Sequence, residues 1–201
     1  MLSVRNARIE DLEEIVELHR DLDLGVISRI ARPLLFSYFH SIVEHDFYNF
    51  RVAEDAREII GYTIVNPNLR ISRSAPFRAH PFRTLFLLIK NPRSTAIMFL
   101  YVLSRQIQSK TLKSVRGKFE WELYYIGIKK DRQRQGVGII LLNDVGTGMR
   151  QFEAQYLGFE VFKKSVHAIN FYRKLNAEFL GEVRTGGLVS RILRLSSNDL
   201  A

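Results

Sequence analysis

Residues 133–138 read Gln133-Arg134-Gln135-Gly136-Val137-Gly138. They lie between an apolar run, Leu-Tyr-Tyr-Ile-Gly-Ile at 123–128, and an amphipathic run that begins at Ile139. The aromatic and β-branched residues of the first run are typical of a buried strand, and the second run has the pattern of a helix. Glycines at such a junction let backbone N–H groups converge at the helix N-terminus, where the helix dipole favours a phosphate or pyrophosphate. The loop is therefore a candidate phosphate-binding site.

The loop does not match two common phosphate-binding motifs. No Gly-Lys-Ser/Thr follows, as a Walker A loop requires. The third glycine of a dinucleotide-binding Rossmann loop is missing, and no early βαβ unit surrounds the segment. Because tight turns with glycine are common, the neighbouring sequence decides the interpretation.

The loop resembles the pyrophosphate loop of the GNAT family of acetyl-CoA-dependent N-acetyltransferases. That loop reads Gln/Arg-x-x-Gly-x-Gly/Ala directly after the fourth strand, and Gln133, Gly136 and Gly138 occupy the matching positions. The opening residues 4–11 are also similar to the family's first strand and first helix cap.

A second family signature lies downstream of the loop, where a strand is followed by Asn-x-x-Ala-x-x-Phe-Tyr. Ala168, Phe171 and Tyr172 match this pattern, whereas Ser165 stands where asparagine is usual. Asn176-Ala177 replaces the glycine that normally follows. The two signatures have the expected order and separation, and the resemblance covers most of the chain.

The resemblance implies an α+β fold with a mixed, mostly antiparallel sheet flanked by helices. We expect one GNAT domain over residues 1–201, with a basic helical insert at about residues 70–117 that departs from the family plan. The hydrophobic pattern predicts strands at 2–7, 47–53, 58–65, 120–130, 156–162, 179–183 and 190–195, and helices from Ile9 and at 33–44, 82–90, 93–108, 138–152 and 166–175.

The coenzyme-binding residues are carried over from the family residue by residue. The fourth strand would pair its backbone with the pantetheine of acetyl-CoA, and Gly127 would permit the close approach or bulge that this pairing implies. Backbone N–H groups of the loop would hold the pyrophosphate, with added charge from Arg134. The expected contacts are Ile126, Gly127, Ile128, Gln133, Arg134, Gln135, Gly136, Val137, Gly138 and Ser165.

Glu122 is the candidate general base. It precedes Gly136 by fourteen residues, a spacing similar to that of the strand glutamate in histone-acetylating members. A base at this position would need a pKa raised by partial burial, or a water relay. Strand alternation places Glu122, Tyr124 and Ile126 on one face, and Trp121, Tyr125 and Gly127 nearer the other. The alternative is a strand-edge carboxylate paired with Arg116 or Lys118.

Tyr172 is the candidate proton donor. In the family, the tyrosine of Phe-Tyr lies near the coenzyme sulfur and can protonate the leaving thiolate. The alternative is a helix residue that packs its ring and exposes its hydroxyl. Ser165 would bond the pantetheine in place of asparagine, or cap the helix that begins at Val166.

Composition bounds the class of protein. A chain of 201 residues with 46% apolar residues suits one globular domain. The absence of cysteine excludes disulfides, thiolate metal sites and a cysteine nucleophile. The histidines show no metal-ligand spacing, so no metal site is expected. Neither a signal peptide nor an apolar stretch of about 18 residues is visible, which makes a cytoplasmic protein the expectation.

The positive charge of the chain is concentrated in its middle. Residues 59–119 contain eleven lysines and arginines and no aspartate or glutamate, so they account for the whole net charge of +9. This cationic segment admits three interpretations: a solvated helical face, a site for an anionic substrate, or contact with a membrane surface or nucleic acid. The apolar run at 82–89 disfavours a simple nucleic-acid arm.

The predicted function is transfer of an acetyl group from acetyl-CoA to a primary amine by direct attack, without an acyl-enzyme. An amino sugar or another small amine is the preferred acceptor, and it is anionic if the cationic segment contacts it. The alternatives are a protein or peptide amine acetyltransferase, or a non-catalytic acyl-CoA-binding or nucleic-acid-binding module. A homodimer and peripheral membrane contact through the insert are further expectations.

Overall fold

The computed structural model describes residues 2–46, 48–71, 73–107, 114–115, 117–185 and 188–200. The strands are β1 Ser3–Asn6, β2 Asn49–Asp55, β3 Glu58–Asn66, β4 Trp121–Ile128, β5 Tyr156–Phe162, β6 Glu178–Thr185 and β7 Leu188–Ser196. The helices are α1 Leu12–Asp21, α2 Arg32–Glu44, α3 Ala75–Ala79, α4 Pro81–Lys90, α5 Pro92–Ile107, α6 Val137–Gln151 and α7 Val166–Lys174. Every predicted strand and helix is found within three residues of its predicted bounds. Of the helices with the bounds given above, α3 was not predicted, because five residues are too few to show helical periodicity.

The seven strands form one sheet in the order β1-β2-β3-β4-β5-β7-β6. Neighbouring strands are antiparallel except β4 and β5, which are parallel. The β4–β5 pairing that the structure describes covers only residues 121–123 and 157–159. Beyond Leu123 and Phe159 the two strands diverge, and this divergence positions the candidate site.

Helices cover both faces of the sheet. The apolar residues of α1 and α2, with Leu12, Ile15 and Tyr38 among them, form one buried cluster against the sheet. On the opposite face, Leu142 and Val145 of α6 pack with α7 and β5. Both clusters follow from helical spacing of apolar residues, since positions three or four apart lie on one side of a helix.

A β-bulge in β4 changes which face its side chains occupy. Ile64 of β3 pairs with Tyr125 and the next residue, Val65, pairs with Leu123, so that Tyr124 is the extra residue. Tyr124 and Tyr125 therefore both pack on the side of α1 and α2, whereas Ile126 packs against the cluster that contains α6. The predicted strict alternation was wrong at this point, because a bulge shifts the pattern by one residue.

The bulge does not lie at Gly127, which pairs regularly with Tyr62. Gly127 instead allows a close approach. A Cβ atom there would lie 2.7 Å from Cε1 of Tyr62 and 3.0 Å from Cδ1 of Leu22. Glycine is thus required for packing against α1 and the residues after it.

The middle of the cationic segment forms α3, α4 and α5, as its predicted helical character requires. These helices contact α2 and the loop before it. His80 lies 2.8 Å from a carboxylate oxygen of Glu44, and the Ser94 hydroxyl accepts the Ala31 N–H at 2.8 Å. That this region is an insertion into the family plan stays a prediction.

Candidate active site

The divergence of β4 and β5 opens a cavity of about 250 Å³. Its walls come from the bulged part of β4, from β5, from the loop at residues 22–27 and from one face of α7. Two residues of the cationic segment, Arg73 and Tyr101, also line it. A cleft of this kind between diverging strands is concave, mostly apolar and suited to an extended small ligand.

Residues Ile126, Gly127 and Ile128 form the part of β4 that lies beyond the β4–β5 pairing. They pair with Thr63, Tyr62 and Gly61 of β3 on the other side. The edge of β4 that faces β5 therefore has no strand partner here among the described residues. Backbone groups at such an edge can pair with an extended ligand.

The glycine loop after β4 ends at the N-terminus of α6, as predicted. Gly136 precedes the first residue of the helix with φ of +85°, and Arg134 also has a positive φ, of +61°. A Cβ at Gly136 would meet no atom within 4 Å, so the backbone conformation, and not crowding, calls for glycine. The Gly136 carbonyl accepts the N–H groups of Ile139 and Ile140 at 3.0 and 3.1 Å. The N–H groups that precede them in a helix have no intrahelical partner and suit an anion.

The side chains of the two glutamines stabilise the loop through hydrogen bonds to backbone carbonyls. Gln133 donates its side-chain amide to the Ile128 carbonyl at 3.1 Å, and Gln135 donates to the Asp131 carbonyl at 2.8 Å. These bonds hold the loop in shape, so its backbone is the part left to contact an anion. A Cβ at Gly138 would lie 3.0 Å from Cδ1 of Ile128, which keeps α6 close to the end of β4. The loop therefore fits a pyrophosphate.

Glu122 is buried, with 4% of its surface exposed. Its carboxylate accepts a hydrogen bond from the Arg73 guanidinium at 2.7 Å, and the same guanidinium lies 4.3 Å from the centre of the Tyr124 ring. Burial, the largest single effect, acts to lower the pKa of Arg73. The charges around it, that of Glu122 first, together outweigh burial, and this pKa lies above its ordinary value. Arg73 was not assigned to Glu122 from the sequence, and Arg116, one of the cations considered there, lies outside the described residues.

Tyr172 is also buried and lines the cavity. Its ring centre lies 4.2 Å from that of Phe159 on β5. Burial raises the pKa of the Tyr172 hydroxyl above its ordinary value. The hydroxyl therefore keeps its proton at neutral pH and can serve as a proton donor.

Ser165 precedes the first residue of α7 and lines the cavity beside Ala168. Its carbonyl accepts the N–H of Ile169 at 3.0 Å, but its hydroxyl makes no capping hydrogen bond. The prediction of a side-chain cap was therefore wrong. Contact between Ser165 and a pantetheine stays a prediction.

The structure brings three side chains together that sequence spacing did not connect. Ligand atoms of His40, Glu44 and His80 lie within 4.8 Å of one another, although the histidines showed no metal-ligand spacing. His80 is 36 residues away from Glu44 along the chain, and only the docking of α4 on α2 places it there. A carboxylate oxygen of Glu44 lies 3.3 Å from Nδ1 of His40 on the same helix and 2.8 Å from Nε2 of His80, and the second contact joins the two helices.

Comparisons with known proteins agree with this geometry. The model of the acetyltransferase (GNAT) family matches residues 12–177. No curated protein matches the chain. A solved N-acetyltransferase from Staphylococcus aureus Mu50 is similar, with 12% identity, a TM-score of 0.63 and coverage of 98% of this chain and 99% of that chain.

Two further solved structures have the same fold. The protein yncA from Salmonella typhimurium, solved with its cofactor acetyl-CoA, is 12% identical with a TM-score of 0.61, covering 98% of this chain and 94% of that chain. NAA60 from Arabidopsis thaliana, in complex with a bisubstrate analogue, is 13% identical with a TM-score of 0.63, covering 98% of each chain. Identities this low establish the fold and leave the acceptor open.

Proposed function

The chain belongs to the GNAT acetyltransferase family, and we propose that it acetylates a small primary amine in the cavity between β4 and β5. As a member of the family it is an N-acetyltransferase that uses acetyl-CoA as co-substrate. The acetyl group would pass directly from the thioester to the amine. The observation that supports this proposal is the glycine loop at the start of α6, next to a strand edge that no strand in the described part of the chain pairs with.

Acetyl-CoA supplies the thioester carbonyl when it is bound. The backbone of residues 126–128 would pair with the pantetheine, and the N–H groups of residues 134–138 would hold the pyrophosphate. Gln133 and Gln135 would act indirectly, by fixing the loop. Ser165 would face the pantetheine from α7, since its hydroxyl is not used as a cap.

We propose that Glu122 is the base and acts through water. Glu122 is not among the residues that line the described cavity, whereas its partner Arg73 and its neighbour Tyr124 are. A water molecule would take the proton of the attacking amine and pass its own proton to Glu122. Arg73 would be a positioning residue, because its hydrogen bond holds a Glu122 carboxylate oxygen in place.

Tyr172 would complete the reaction as an acid. As the C–N bond forms and the C–S bond breaks, the thiolate would take the Tyr172 hydroxyl proton. Glu122 would then release the proton it received to water, and the tyrosinate would take a proton from water, so that protons balance over one turnover. The position of Tyr172 in the cavity wall supports this role, and its hydroxyl is protonated at neutral pH, as a proton donor must be.

The cavity favours an acceptor of modest size. A volume of about 250 Å³ suits a sugar or a small amine beside the pantetheine arm. Asp23 and Glu160 are among the lining residues, and their negative charge would favour an ammonium group, whereas Arg73 would favour an acceptor that also carries a negative charge. An amino sugar with an anionic substituent meets both conditions.

The test is a screen of acceptors for release of free CoA from acetyl-CoA. Because the chain has no cysteine, a thiol reagent detects only the released CoA. We expect turnover with small amines, including amino sugars, and little with peptides. A peptide amine acetylated at much higher kcat/KM than any small amine would overturn the proposed acceptor class without affecting the family assignment.

A further inference from the structure

Helices α4 and α5 expose an apolar surface that the reaction does not use. On α4 the exposed side chains are Phe82, Leu85, Phe86 and Ile89, and on α5 they are Phe99, Leu100, Val102 and Leu103. We call these eight residues the α4–α5 patch. Phe82 is 87% exposed and Ile89 is 73% exposed. With rings of 150–250 Å² each, the three phenylalanines alone present about 300–500 Å² of apolar surface, already as much as the largest patch of a typical soluble monomer.

The patch is one face of each helix and not an effect of loose packing. The exposed residues of α4 follow the spacing i, i+3, i+4, i+7, which defines a single helical face. The opposite face of α4 carries Leu87 and Leu88, and that of α5 carries Ile97 and Met98. These four pack against the core cluster of α1 and α2. The helices are therefore fixed by their inner faces while an equally apolar outer face remains in solvent.

Cations are interspersed with this apolar face. Arg78, Arg83, Lys90 and Arg93 are exposed on α3, α4 and α5, and the Lys90 ammonium lies 4.4 Å from the centre of the Phe86 ring. No carboxylate of the described chain forms an ion pair with any of these four. The nearest acids in sequence lie outside residues 59–119. Large apolar side chains combined with unpaired cations are typical of helices that lie in the headgroup region of an anionic bilayer.

We propose that the α4–α5 patch docks this protein peripherally on anionic lipid membranes. Charge complementarity favours this occupant over a second copy of the chain. Two such faces in a symmetric dimer would bring cations against cations, because the same surface faces itself. None of the helices in the described ranges is long and apolar enough to cross a membrane, so the contact is with the surface of the bilayer.

The first test is sedimentation of the protein with vesicles of phosphatidylcholine alone or with 30% phosphatidylglycerol. We expect enrichment on the anionic vesicles, at least tenfold weaker binding to the neutral ones, and release as salt is raised, since surface charges are screened. Absence of enrichment on anionic vesicles at low salt would overturn the proposal.

Matched variants locate the contact. The double variant Phe82→Ser and Phe86→Ser removes two exposed rings of the patch. The control, Phe152→Ser with Phe179→Ser, removes two rings of similar exposure elsewhere, at 75% and 55%. We expect at least a tenfold loss of vesicle binding in the first and no change in the second. Equal loss in both would contradict docking through α4.

A charge variant tests the contribution of the cations that accompany the α4–α5 patch. Arg83→Glu with Lys90→Glu should abolish binding to anionic vesicles, whereas Arg57→Glu with Lys174→Glu, at exposed positions elsewhere, should change it little.

Gel filtration without lipid distinguishes membrane docking from self-association. If the protein does not bind vesicles but forms a dimer that dissociates when Phe82 and Phe86 are replaced, the patch is a homodimer interface and membrane docking is overturned.

Discussion

The Arg73 guanidinium donates a hydrogen bond to the Glu122 carboxylate at 2.7 Å, across 49 residues of sequence. The pair lies under the active-site cavity and joins the cationic segment to the central strand β4. Its guanidinium also stacks on Tyr124, the extra residue of the β-bulge. The geometry of the proposed base thus depends on a residue from outside both family signatures.

Loss of Arg73 should destabilise the fold more than loss of the whole pair. Arg73→Leu removes the guanidinium that donates to the buried Glu122 carboxylate. Breaking a buried pair in this way typically costs about 3–5 kcal/mol, whereas replacing both charges with apolar residues is often nearly neutral. The free energies of unfolding in urea of Arg73→Leu, Glu122→Leu and the double variant test this. If the loss of unfolding free energy in the double variant equals the sum of the losses in the two single variants, the two residues are not coupled and the prediction fails.

Tyr172→Phe should separate catalysis from binding. We expect kcat to fall by about 10²-fold or more, the usual range for loss of a general acid, while the affinity for acetyl-CoA stays within about twofold. Phe171→Leu, at the adjacent residue, serves as the control for packing. Unchanged kcat in Tyr172→Phe would remove the assigned proton donor.

Buried His19 predicts a pH dependence of stability. Burial lowers the pKa of His19 from 6.5 to about 3, and its Nδ1 lies 2.5 Å from the Tyr62 hydroxyl. Below pH 6.5 the unfolded chain binds a proton that the folded chain does not. The contribution of neutral, buried His19 to stability is therefore present above pH 6.5 and is lost as pH falls toward 3. The free energy of unfolding falls by up to about 4 kcal/mol over this range.

The measurement is the free energy of unfolding between pH 7 and pH 4 in the parent and in His19→Phe. The variant should show a shallower loss of stability as pH falls, whatever its stability at pH 7. His167→Gln, at an exposed position, is the control and should keep the slope of the parent. A slope that does not change in His19→Phe would show that other groups cause the acid sensitivity.

Gly127→Ala should be costly, because its Cβ would lie 2.7 Å from the Tyr62 ring and 3.0 Å from Leu22. Overpacking of this kind costs about 1–3 kcal/mol, and the resulting shift of β4 should also weaken acetyl-CoA binding. Gly117→Ala is the control, since a Cβ there meets no atom within 4 Å. The measurement is the melting temperature of both variants and of the parent. An equal melting temperature would contradict the close approach at Gly127.

The sequence was most informative where structure follows from local pattern. The loop at 133–138, the helix after it and the strand before it are specified by glycine spacing and hydrophobic periodicity within about 25 residues, and all three lie where predicted. The helices of residues 82–107 were likewise visible as apolar periodicity.

Features that depend on the meeting of distant segments were not visible. The bulge at Tyr124 arises from the register between β4 and β3, which alternation within β4 alone does not reveal. Arg73 was one of eleven cations in the acid-free segment, and nothing in the sequence distinguished it as the partner of Glu122. The approach of His80 to Glu44 similarly needs the packing of α4 on α2.

Calorimetric titration with acetyl-CoA, in the parent and in two glycine variants, tests the central claim most directly. Gly136→Glu places a carboxylate in front of the α6 N-terminus at a positive φ, whereas Gly117→Glu makes the same change in charge at an open position away from the loop. We predict binding in the parent and in Gly117→Glu, and its loss in Gly136→Glu. Equal binding in all three proteins, or none in the parent, would contradict the assignment of this loop as the coenzyme site.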